Sequence, residues 1–198
     1  VELHGRVQSR FPAPAPHPAG DPEHAAFADL RVYPYLHGVA VATTGNLAVN
    51  LVCSRPVVKG LHHIVACSDD GLKGYEDKHT LLTVVPLGVP LPSQEFRKQS
   101  AAIMHERQVP TGTYITVLEG DGLWAGAMRM MAAGLEQMAR NPGTVRHVST
   151  LQTAVDRAYP ELVQVPDRPA LMAQLRAWIT WQRAAVGADA NGVVKASG

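Results

Sequence analysis

The sequence predicts an α/β domain built on a mixed, mainly parallel sheet, and three observations carry that expectation. Gly112–Arg140 reads as a run of β-formers (Tyr114–Leu118), an acidic glycine turn (Glu119-Gly120-Asp121-Gly122) and a long apolar helix-forming segment. Thr80–Val85 is a short, continuous apolar run closed by Pro86, a pattern suited to a strand covered on both faces, as in a parallel sheet. Strand-like and helix-like stretches also alternate along most of the chain, in the order β-β-β-α-β-α-β-α-β-α-α.

Taken in order, residues 1–26 form a Pro-rich arm. Phe11-Pro12-Ala13-Pro14-Ala15-Pro16-His17-Pro18 supplies too few N–H groups for a helix or a central strand and favours extended, polyproline-like geometry. Such an arm serves as a spacer or as a strip laid on a neighbouring subunit. The domain proper spans 27–165. Leu30–Tyr35 is extended, with Pro34 suiting an edge strand. Val39–Thr43 and Leu47–Cys53 flank Thr44-Gly45-Asn46 as a hairpin. Pro56 opens a helix to about Ser68, with Val57, Leu61, Ile64 and Val65 on its apolar face. A loop or short helical piece covers Asp69–Lys78. After the Thr80–Val85 strand, Ser93 caps a helix over Gln94–Gln108; Phe96 stands where a capping-box Glu or Gln would be.

The helix after the acidic turn carries Leu123, Ala127, Met130, Met131, Gly134, Leu135 and Met138 as a broad apolar stripe, and Asn141-Pro142-Gly143 stops it. Val145–Ser149 is a further strand, and a helix follows from Thr150 to about Leu162. Residues 166–198 add a C-terminal helix over Ala170–Val186, with Leu171, Leu175, Trp178 and Ile179 as its stripe and Trp181 at the edge. A loose tail is expected from Gly187.

Composition narrows the function classes. The chain has 198 residues, 46% hydrophobic and 18% charged, and a net charge of +1, which suits a globular core rather than disorder. Its basic residues are scattered, so neither nucleic acid nor an anionic membrane is an expected partner. The two cysteines, Cys53 and Cys67, are too few for a disulfide framework and lie in apolar surroundings. With no apolar run near the ~20 residues of a membrane span and no signal-like opening, a cytoplasmic protein is expected.

The order of a hairpin followed by repeated helices and strands resembles the STAS domain of bacterial anti-sigma-factor antagonists and the related SpoIIAA-like proteins. The local likeness lies in Tyr114–Arg140 and in the following Arg146-His147-Val148-Ser149-Thr150-Leu151-Gln152-Thr153-Ala154-Val155, and it covers about residues 36–162. It implies a STAS-like fold with a Pro-rich N-terminal arm and an extra C-terminal helix. It also implies partner binding at the end of the helix after the central strand. Antagonists that switch partners carry an Asp-Ser or Asp-Thr pair there, and the hydroxyl is phosphorylated. Here Glu119-Gly120-Asp121-Gly122-Leu123-Trp124-Ala125-Gly126 contains no hydroxyl, so no phosphate charge of roughly −2 can operate a switch.

The remaining chemistry is sparse. His63 and Cys67 share a helix face at i, i+4, with His62 beside them, but a zinc site usually needs four ligands, and no metal or other cofactor is expected. There is no G-x-S-x-G elbow, H-E-x-x-H helix or phosphate-binding glycine loop. Asp121 suits the helix N-terminus as a cap and, at the helix end, is also a candidate partner contact. Trp124 at the turn–helix junction, Met128 on the following helix, and Trp178 and Trp181 on the last helix are candidate partner contacts, since aromatics are enriched at interface hot spots. The expected function is a non-catalytic interaction or assembly module that binds a protein partner or itself, with arm and last helix extending the contacts between subunits. The alternative is a small-molecule-binding or enzymatic domain using the Glu119–Trp124 turn.

Overall fold

The computed structural model describes residues 13–17, 22–75, 78–107, 113–120, 122–139 and 144–193. A 3₁₀ turn, Pro22–Phe27, leads into strands β1 (Arg31–Leu36), β2 (Val39–Thr44) and β3 (Leu47–Val52). Then follow α1 (Val58–Gly71), β4 (Thr80–Val85), α2 (Gln94–Arg107), β5 (Thr113–Leu118), α3 (Gly122–Ala139) and β6 (Thr144–Val148). Helix α4 (Leu151–Ala158), a second 3₁₀ turn (Tyr159–Glu161) and α5 (Arg168–Val193) complete the chain. The α/β class and the order of strands and helices are those the sequence predicts.

One sheet holds all six strands in sequential order β1-β2-β3-β4-β5-β6. The pairs β1–β2 and β2–β3 are antiparallel and form an edge, whereas β3–β4, β4–β5 and β5–β6 are parallel. Gly45 and Asn46 make the tight turn between β2 and β3. Gly45 has φ +49°, and a Cβ there would collide with the Val163 carbonyl, so the position requires glycine. Asn46 is fully buried and ties together two separate segments with three hydrogen bonds: its Nδ2 donates to the carbonyls of Lys78 (3.2 Å) and Glu161 (3.0 Å), and its Oδ1 accepts from Val163 N–H (2.7 Å).

Strand alternation sorts the core onto two faces. Val49, Leu51, Leu82, Val84, Ile115 and Val117 point to one face, where α4 contributes Ala154 and Val155 and α5 contributes Leu171, Leu175, Trp178 and Ile179. On the opposite face, Tyr33, Val39 and Val41 meet Ile64 and Cys67 of α1, and Val52, Val85 and Leu118 meet Trp124 and Met128 of α3. Helix α2 packs on α1 and α3. The result is three layers, with α5 inside the main core.

Several boundaries depart from the sequence expectation. Helix α1 starts at Val58, after an extended Val57, and continues to Gly71 rather than ending near Ser68. Helix α5 runs through Gly187 to Val193 instead of fraying there. A single interior glycine costs only about 1 kcal/mol in a helix, and Ala184, Ala185, Ala188 and Ala190 around it are the strongest helix formers. The helix stop expected at Asn141-Pro142-Gly143 lies outside the described residues. Ser93 is the expected cap: its Oγ accepts from Phe96 N–H at 3.1 Å. Residues 13–17 of the arm lie on the chain's own β1, where His17 N–H donates to the Val32 carbonyl (2.8 Å). Among the described residues, no helix is long and apolar enough to cross a membrane.

Candidate functional site

The parallel strands end together, with Val52, Val85 and Leu118 in register, and the N-termini of α1, α2, α3 and α4 follow from this end. Open α/β sheets bind their ligands beyond the carboxyl ends of their strands. The Glu119–Trp124 turn sits here, held by four contacts. Glu119 N–H donates to the Val85 carbonyl (3.0 Å), and its carboxylate accepts from Arg183 of α5 at 2.7 Å. Gly120, at φ +91°, brings its Cα against Leu87, where a Cβ would lie 2.7 Å from the Leu87 Cδ1. The Trp124 indole N–H donates to the Val89 carbonyl (3.0 Å), and its ring packs against the cluster of Val52, Val85, Val89, Leu118 and Met128. Trp124 therefore clamps the β4–α2 connection to α3.

The other candidate contacts distribute as follows. Asp121 lies outside the described residues. Met128 is buried beneath α3, beside Trp124. Trp178 is 0% exposed, a core residue on the opposite side of the sheet. Trp181 is half-buried against the rings of His24 (4.8 Å), Phe27 (5.7 Å) and His17 (6.2 Å). Thus Trp124 and Met128 come together, while the α5 tryptophans face another layer and pack within their own chain.

The inward stripe of α3 also differs from the expected one. Ala125 and Met128 are buried and Trp124 is half-buried, whereas Leu123 is 96% exposed and Met130 74% exposed. The helix is apolar on nearly every side, so hydrophobicity leaves its rotation open. The Trp124–Val89 bond fixes it. Leu87 (61% exposed) and Leu91 (48% exposed) of the β4–α2 connection are drawn to the same helix end by the Gly120 and Trp124 contacts. With Leu123 and Met130 they leave four large apolar side chains exposed about the start of α3, which sequence reading missed.

Its surroundings are basic. Arg55, Lys59, Arg97, Lys98 and Arg129 are exposed around this end, and none is ion-paired among the described residues. Lys59 occupies the first turn of α1, and Arg97 and Lys98 the beginning of α2, where the helix dipole disfavours positive charge. No acidic residue stands in the first turn of α1, α3 or α4; α2 has Glu95.

Elsewhere, polar groups are committed to structure. His63 Nε2–H donates to the Pro34 carbonyl (3.0 Å), and its Nδ1 lies 3.5 Å from Cys67 Sγ, as their i, i+4 spacing predicts. Burial pushes the Cys67 thiol up to about 12 and the Cys53 thiol to about 11, so neither is a thiolate at neutral pH. Among the described residues, no three His, Cys, Asp or Glu side chains converge as metal ligands. A polar cleft of about 480 Å³ opens at the opposite end of the sheet, lined in part by Arg31, Thr43, Tyr75 and Gln164. Arg31 is paired there with Asp70 (2.6 Å), which also binds Lys73 (2.8 Å), and Tyr75 Oη with Gln164. Compared with family models, curated proteins and solved structures, the chain matches none.

Proposed function

We propose that this chain is a non-catalytic interaction module of the STAS-like type. It seats a protein partner, another protein or a second copy of itself, on the carboxyl end of its sheet, and it works without a phosphoswitch. The carrying observation is the apolar patch of Leu87, Leu91, Leu123 and Met130 around the start of α3. Clustered large apolar side chains left in water mark a surface that another molecule covers. The STAS-like assignment is supported by the hairpin-then-alternating order and by the placement of the patch at the start of α3, the helix to which the resemblance gives partner binding. The Glu119–Gly126 segment has no hydroxyl to phosphorylate. The alternative of a small-molecule or catalytic site at this turn is weakened by its bonding, because Glu119 already faces Arg183 and the Trp124 N–H already faces Val89.

Sedimentation of the chain across protein and salt concentrations tests the reading. Two copies meeting through this patch bring basic rims together, so self-association is expected to strengthen as salt screens the repulsion. Leu123→Asp combined with Met130→Asp, both at exposed positions, should abolish it without lowering the melting temperature. Association that survives both substitutions places the interface elsewhere. A chain that stays monomeric at every salt concentration removes the second copy as partner.

A further inference from the structure

Resting on the reading of this end as an interaction surface, we infer that its partner is an acidic amphipathic helix of two to three turns, seated along the outer stripe of α3. Leu123, Gly126, Ala127 and Met130 fall at i, i+3, i+4 and i+7 and share one side of the helix. That side lies opposite the Trp124, Ala125 and Met128 face that packs inward. Nothing lies within 4 Å of the position a Cβ would take at Gly126, so the middle of the stripe is an open, shallow floor between two apolar ends. Leu123 to Met130 spans about 10.5 Å at 1.5 Å per residue, two helical turns. Leu87, against Gly120, extends the apolar surface beyond the N-terminus of α3, and Leu91 is exposed two residues after the Val89 carbonyl that Trp124 binds. A helix presenting anchors at i, i+3 or i+4, and i+7 matches that spacing.

Charge selects the sign of the partner. Arg129 on α3 and Arg97 and Lys98 on the adjacent α2 are exposed beside the strip's helix, and Arg55 and Lys59 stand exposed at the start of α1, beyond α2. The carboxylates that the sequence places at this end are Glu95 and Asp121, since Glu119 is neutralised by Arg183. Five cations against two anions leave a net of three positive charges. The N-termini of four helices add partial positive charge in the same direction. Basic residues in the first turns of α1 and α2 work against helix stability, and an anionic partner gives them a purpose. An anionic membrane shares the charge but fits the shape less well. Met130 and Arg129 lie two turns along α3, so the apolar strip runs down the side of a helix instead of forming a flat tip.

The test titrates the full chain by fluorescence anisotropy against a labelled helical peptide of about 18 residues. That peptide carries Leu at i, i+3, i+4 and i+7 and Glu at its outer positions. Its counterpart replaces every Glu by Lys, and a third arm uses phosphatidylserine–phosphatidylcholine vesicles. The Glu peptide should bind, and binding should weaken about tenfold or more in high salt or in Arg97→Glu with Lys98→Glu. The Lys peptide should not bind. Equal binding of both peptides, or vesicle binding with the Glu peptide silent, overturns the acidic-helix inference while leaving an apolar interaction surface in place. Glu-peptide binding that is unchanged in Leu123→Asp with Met130→Asp overturns the reading of the patch itself.

Discussion

His63 shows how a side chain that invites a catalytic or metal role can be fully occupied by architecture. It sits on α1 facing β1, where the Pro34 carbonyl can only accept, so Nε2 carries the hydrogen and Nδ1 faces the Cys67 thiol. Burial lowers its pKa below the ordinary value, partly opposed by the Pro34 hydrogen bond, which favours the charged form. The unfolded chain, with an imidazole pKa near ~6.5, therefore binds a proton that the folded chain refuses. Stability from this group is fully present above that pH and declines as pH falls through it toward the lower folded value. The slope from one such group is at most about 1.4 kcal/mol per pH unit. Melting temperatures at pH 7.5 and 5.5 check this. The drop should be smaller in His63→Gln, whose amide can still donate to Pro34, and an equal drop would show that other histidines carry it.

At the scale of the element, two helical glycines answer opposite demands. Gly71, in the last turn of α1, lies so close to β2 that a Cβ would collide with the Thr43 side chain. Gly126, in α3, faces open space. Gly71→Ala is expected to destabilise by about 1–3 kcal/mol through overpacking, and Gly126→Ala to stabilise by about 0.5–1 kcal/mol through helix propensity. Urea unfolding of both variants measures the two signs. The same contrast explains what could be read from sequence. In α5, Leu171, Leu175, Trp178 and Ile179 are interrupted by Gln174 and Arg176 and followed by Thr180, so its buried face was legible. In α3, Leu123, Trp124, Ala125, Met128 and Met130 are all apolar, and only the bond from Trp124 to Val89, 35 residues earlier, sets which of them face water. The exposed patch was hidden for that reason. So was the Glu119–Arg183 pair, whose members are 64 residues apart. The strands, bounded by Gly45, Pro86 and Gly120, were legible because turn chemistry is local.

For the whole molecule, closure of the main core depends on both ends of the described chain. Helix α5 covers one sheet face, and Pro22–Phe27 packs on α5 through His24 and Phe27 against Trp181. Residues 13–17 cover the outer side of β1 with the His17–Val32 hydrogen bond, and the His17 ring adds to the same aromatic group. An edge strand so covered is protected from pairing with another chain. Sequence alone suggested that the Pro-rich arm extends contacts between subunits; among its described residues, 13–17 and the turn from Pro22 contact the chain's own β1 and α5. A chain beginning at Ala26 should therefore melt at a lower temperature, show red-shifted tryptophan fluorescence as Trp181 gains water, and aggregate with rising concentration through the open β1 edge. If light scattering instead finds that the shorter chain keeps its melting temperature and that an oligomer of the full chain falls apart to monomers, residues 1–25 bind a neighbouring subunit, and the self-covering role assigned to 13–17 and His24 is wrong.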